Sequence, residues 1–155
     1  MRTLLKISAV ALIVGAAAVP QSGHAQSAAQ KVFFEGDMVR GAGAARPACV
    51  LNSQFRHNES VVWRMRLLDQ TGARLDDKGV KSVVVELSDG QKFPMHFGGH
   101  PKGKTDDYFW TVSWHIPESY PTGSFSYKVV ATGMDGQTHT WKPFNVDLSQ
   151  LMVLK

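Results

Sequence analysis

One cysteine, Cys49, stands in 155 residues. An internal disulfide is therefore excluded, and any core must hold by packing alone. There is no block of basic residues with interleaved aromatics, so a nucleic-acid groove is not expected. Lys102 and Lys104 are followed at once by Asp106 and Asp107, and Arg64 and Arg66 alternate with apolar neighbours. Nucleophile elbow, glycine-rich phosphate loop, His-Glu-x-x-His and deaminase patterns are all missing, which argues against an enzyme. Outside the first 25 residues no helical repeat of useful length occurs.

What is present begins with an export signal. Arg2 and Lys6 form a short basic start, and Ile7 to Val19 is an apolar run. Gly23-His24-Ala25 offers small residues where a signal peptidase reads. The run is shorter than the roughly 20 residues of a membrane span. Residues 1–25 are expected to be a cleaved leader of bacterial type, and residues 26–155 a single domain. No cysteine follows the leader where a lipid anchor would need one. The expected location is the periplasm, or outside the cell, with no transmembrane segment after leader removal. Removing Arg2 and Lys6 leaves 15 Lys+Arg against 13 Asp+Glu, so the net charge falls from +4 to +2. A chain of about 130 residues is long enough to bury a real core.

Period-two alternation runs through most of that length. Val61, Trp63, Met65 and Leu67 share one face, with Arg64 and Arg66 on the other. Trp110, Val112, Trp114 and Ile116 oppose Phe109, Thr111, Ser113 and His115 in the same way. Phe125, Tyr127, Val129 and Ala131 make a third such face. Strands are expected at 31–39, 48–55, 61–68, 80–87, 92–97, 108–116, 124–132, 138–146 and 151–154. Asp89-Gly90 and Asp135-Gly136 mark hairpin turns. Pro94 lacks a backbone donor, which places its strand at a sheet edge. Seven to nine short strands with such turns point to an all-β antiparallel sandwich, with an up-and-down barrel as the other architecture. Trp63 or Trp114 is expected near its centre.

The stretches Asn58-Glu59-Ser60-Val61-Val62-Trp63-Arg64 and Tyr120-Pro121-Thr122-Gly123-Ser124-Phe125-Ser126-Tyr127-Lys128-Val129 resemble immunoglobulin or fibronectin-type modules of bacterial exported proteins. The resemblance covers most of residues 59–144. It implies an immunoglobulin-like β-sandwich and carries no function, since such modules host many unrelated activities. The inter-sheet disulfide of antibody-type domains is impossible here.

Two sets of residues could carry a function. Met95-His96-Phe97-Gly98-Gly99-His100 places a thioether and two imidazoles within six residues, and Cys49 and His57 would add a thiolate and a third imidazole. Cys49, His57, Met95, His96 and His100 thus include the ligand types that favour copper. Against this, Met95 and His96 point to opposite faces of a regular strand, and alternation allows Cys49 a buried place as a small hydrophobe. A blue-copper protein gathers its Cys, His and Met in one late loop, whereas the only cysteine here comes early. The second set is the polar sheet face carrying Arg64, Arg66, Phe109 and His115, which could engage a protein partner. Two readings follow. One is a non-catalytic accessory module that binds a protein partner in an exported complex. The other is a copper-type metal-binding protein.

Overall fold

The computed structural model describes residues 31–42, 48–99 and 107–155. The leader expected at residues 1–25 and the proposed ligand His100 lie outside the described residues. Among the described residues the fold is all-β. The strands are β1 (Phe33–Arg40), β2 (Gln54–Arg56), β3 (Ser60–Leu68), β4 (Val80–Leu87), β5 (Lys92–Pro94), β6 (His96–Gly99), β7 (Tyr108–His115), β8 (Gly123–Phe125), β9 (Tyr127–Gly133), β10 (Thr138–Trp141) and β11 (Leu151–Leu154). No described helix is long and apolar enough to cross a membrane.

Three sheets form. The first runs β1-β3-β7-β6, the second β10-β9-β4-β5 and the third β2-β11-β8. All pairings are antiparallel except β11 with β2. The alternating faces read from sequence account for the core. Val61, Trp63, Met65 and Leu67 are fully buried, as are Val83, Val85, Val129 and Ala131. Burying each such aliphatic or aromatic side chain stabilises the fold by about 1.5–3 kcal/mol. Trp63 is 0 % exposed and sits at the centre. Its ring stacks on Phe93 at 5.6 Å and Trp114 at 6.5 Å, and meets Tyr127 edge-on at 6.0 Å.

The expected count of seven to nine strands becomes eleven among the described residues, because two expected strands are each divided. The strand expected at 92–97 splits at Met95. Pro94 pairs with Val84 at the edge of the second sheet, and Met95 N–H still donates to the Val83 carbonyl at 2.8 Å. His96 then pairs with Thr111 in the first sheet. The strand expected at 124–132 splits at Ser126. Phe125 pairs with Leu151 in the third sheet, whereas Tyr127 pairs with Leu87 in the second. The strand expected at 138–146 stops at Trp141. Pro143 cannot donate a ladder hydrogen bond, and a 3₁₀ turn follows at Asp147–Ser149.

The switch at Met95 has a consequence for shape. It joins the β5 edge of the second sheet directly to the β6 edge of the first. The other two edges, β1 and β10, have no such join among the described residues. Among the described residues, that side of the molecule is open.

Candidate functional site

On the outer face of the first sheet, strand register places charges opposite one another. Asp37 faces Arg64 and Glu35 faces Arg66 across β1 and β3. Arg64 donates to both carboxylate oxygens of Asp37, through Nε at 2.7 Å and Nη2 at 2.5 Å. Arg66 reaches Glu35 at 3.5 Å and Asp107 at 3.4 Å. Both guanidinium groups lie over the Phe109 ring, at 5.8 and 5.0 Å from its centre. The Asp37 hydrogen bond holds the Arg64 pKa above its ordinary value. The structure thus brings Arg64, Arg66 and Phe109 together. His115 stands apart, at the other end of β7, where its Nδ1 lies 3.4 Å from Ser60 Oγ. The two arginines already have carboxylate partners within the chain, so a ligand on this face would have to displace them.

The four described residues of the copper set are dispersed. Cys49 is exposed, so the buried place that alternation allowed it is not taken. It lies in a turn rather than a strand, in left-handed backbone conformation with φ of 59°, and its N–H donates to the Arg40 carbonyl at 2.8 Å. Residues 49–52 run along the β1 edge, whereas His96 lies in β6 at the opposite edge of the same sheet. Four strand spacings separate them, about 19 Å. Met95 is only 4 % exposed and belongs to the core, while His96 is exposed. His57 Nε2 lies 2.7 Å from the Tyr120 carbonyl oxygen. A carbonyl only accepts, so this nitrogen carries the proton. No group of three or more His, Cys, Asp or Glu side chains suited to a metal occurs among the described residues.

Sequence reasoning passed over the open side of the molecule. A cleft of about 610 Å³ lies there, floored by Gly36 and Met38 of β1 and by Tyr127 and Trp141. Leu51, Phe144 and Leu148 line it and are 69, 84 and 73 % exposed. Lys142 also lines it and makes no ion pair among the described residues. The Phe144–Ser149 segment is positioned from both ends. Trp141 ends β10, and Gln150 Nε2 donates back to the Phe144 carbonyl at 2.8 Å. The one sequence signal for this feature is Pro143, which ends the last alternating run and leaves Phe144, Val146 and Leu148 without a strand face to bury them.

Burial and Asp37 nearby push the Tyr127 phenol at the cleft floor up to about 12. It stays protonated near neutrality, so its hydroxyl remains a hydrogen-bond donor. The cleft can therefore offer large apolar surface, the Lys142 ammonium and a phenol.

A scan against protein-family models and searches of curated proteins and of solved structures found no match to this chain. The functional reading rests on the residues themselves.

Proposed function

We propose that residues 26–155 form a single non-catalytic, immunoglobulin-like binding module, exported to the periplasm or beyond by the leader at residues 1–25, that engages a protein partner. The observation that carries this reading is the gathering of Leu51, Phe144 and Leu148, all largely exposed, around one cleft. Exposed apolar side chains scattered singly are ordinary, but a contiguous set around a concavity marks a contact surface. Aromatic side chains in such a place contribute heavily to binding. The partner surface is thereby assigned to the open side, in preference to the Arg64, Arg66 and Phe109 face.

The test is affinity purification of the mature protein from its native compartment, beside a variant with Phe144→Ser and Leu148→Ser. Both side chains are exposed, so the variant should keep its circular dichroism and unfolding midpoint. A stoichiometric partner held by the parent and lost by the variant supports the reading. A partner retained equally by both would remove this surface from consideration. Nothing in the placement of Cys49, His57, Met95 and His96 favours the copper alternative. Stoichiometric copper in that same preparation would reverse the ranking.

A further inference from the structure

The geometry points to the β1 edge within the cleft as a strand-addition site for an extended peptide that carries a carboxylate. This rests on the reading of the cleft as a partner surface and names how the partner is held.

The chain itself shows that this edge accepts a strand. Arg40 N–H donates to the Val50 carbonyl at 3.0 Å, and Asn52 N–H donates to the Met38 carbonyl at 3.1 Å. The backbone groups of Met38 and Arg40 therefore point away from β3. In a strand every second residue points the same way, so those of Phe34 and Gly36 do too. The added ladder ends at Asn52. The next carbonyl, that of Ser53, accepts from Met152 N–H at 2.8 Å, and the chain leaves for the third sheet. From Met38 N–H back to Phe34 the edge has no strand beside it among the described residues.

An unpaired edge of this kind is usually guarded by charges that project over it. Here Glu35 and Asp37 are drawn back onto Arg66 and Arg64. The edge also opens into a recess rather than onto a flat surface. Gly36 lines that recess, and the space its side chain would take is filled from within by the Met65 thioether. Alternate side chains of an added strand would face Met38 and Trp141 on one side and solvent on the other. Lys142 supplies the charge that a carboxylate would meet. A recessed edge walled by residues 142–149 suits a chain end or a loop better than the whole edge of a second copy, which would bring its own Phe144 against this one.

The test uses an acetylated peptide of alternating threonine and valine with a free carboxyl end, titrated into the mature protein. Backbone amide exchange is followed by nuclear magnetic resonance. Binding should slow exchange at the Phe34, Gly36 and Met38 N–H groups. Ending the peptide in an amide, or changing Lys142→Glu in the protein, should each weaken binding by about threefold, the scale of an exposed ion pair. N-methylation of the alternate residues that face β1 should weaken it by at least about tenfold, whereas methylation of the other set should not. Equal binding by both methylated sets, or no added protection at Phe34 and Gly36, would overturn strand addition. So would protection that appears without peptide and rises with protein concentration, because the occupant would then be a second copy. If the peptide fails yet a native partner is still lost on changing Phe144 and Leu148, the partner surface stands and only the strand mechanism falls.

Discussion

A Cβ placed on Gly36 would overlap the Met65 thioether and lie 2.6 Å from the Arg64 carbonyl oxygen. The thioether is the end of a flexible side chain and can move. The carbonyl belongs to the β3 backbone and cannot move without disturbing the ladder. Gly36→Ala is therefore expected to destabilise the fold by about 1–3 kcal/mol. Adding Met65→Val should return only part of that loss, since the backbone clash remains, and the two changes should not add. Urea unfolding of the two single variants and the double variant measures both points. A change below about 0.5 kcal/mol for Gly36→Ala would show that β1 can shift outward freely, and the cleft floor would then be softer than described. Nothing in the sequence around Gly36 betrays this role, because the Met65 side chain that covers it is 29 positions away in the chain. Cys49 is a similar case. Its neighbours Ala48 and Val50 suggest alternation, yet the sign of φ at Cys49 is set by how the chain returns to β1, a non-local constraint.

At the scale of elements, three turns built on Asp are joined to the sheets in different ways. In the β9–β10 hairpin, Asp135 accepts one hydrogen bond, from Gln137 N–H at 2.9 Å. In the β4–β5 hairpin, Asp89 accepts from Gln91 N–H at 3.0 Å, from Gln91 Nε2 at 2.8 Å and from Tyr120 Oη at 2.6 Å. The last bond ties the hairpin to the connection between β7 and β8. Tyr120 itself packs edge-on against Trp114, with ring centres 4.8 Å apart. Asp89→Ala is thus expected to cost about 1–2 kcal/mol and Asp135→Ala about 0.5–1 kcal/mol. Tyr120→Phe should lower the cost of Asp89→Ala toward that of Asp135→Ala in a double-mutant cycle. Equal costs for the two Asp changes would mean that the Tyr120 bond adds nothing. The third turn, at Asp69, closes β3 onto residues 73–75 with its own side chain, accepting from Thr71 and Ala73.

The turns at Asp89-Gly90 and Asp135-Gly136 were legible because Asp-Gly fixes local backbone geometry without help from the rest of the chain. So were β3 and β7, whose faces alternate along most of their length, and β4, which alternates from Val83 to Leu87. The divisions at Met95 and Ser126 were not. Phe93, Met95 and Phe97 all face the core, before and after the chain changes sheets. Both sheets cover the same core, so the side-chain pattern continues while the hydrogen-bonding partner changes. Only Pro94 hints at the break. The cleft was hidden for the opposite reason. The exposure of Phe144 and Leu148 depends on an open side that exists only because β5 and β6 close the other. On the outer face, by contrast, Arg64, Arg66 and Phe109 came together as alternation requires. Their carboxylate partners, Glu35 and Asp37, were fixed by a strand register that sequence alone does not give.

For the whole molecule, stability should fall at both ends of the pH scale, and the two limbs have different sources. Four carboxylates are held below their ordinary range. At Asp69 the main cause is the Thr71 hydroxyl, at Asp76 the Lys78 N–H, and at Glu86 the Lys92 ammonium followed by that of Lys128. At Asp89 partial burial works the other way and is outweighed by hydrogen bonds from Tyr120 and Gln91. A depressed carboxylate binds fewer protons in the folded chain than in the unfolded one. Its contribution is present above the unfolded value, near 4, and is lost as pH falls through the folded value. The alkaline limb reverses the sign. Burial, with Asp37 nearby, pushes the Tyr127 phenol up to about 12. The folded chain then holds a proton that the unfolded chain releases near pH 10. The Tyr127 contribution is therefore complete below about pH 10 and is lost as pH rises toward 12, by about 2–3 kcal/mol in all. Phenylalanine at this position has no proton to release. Over that interval Tyr127→Phe should lose stability less steeply than the parent, and its acid limb should be unchanged. Urea midpoints measured across pH 4–12 for the two proteins separate the limbs. Parallel curves above pH 10 would place the Tyr127 hydroxyl in water, and with it the floor of the cleft.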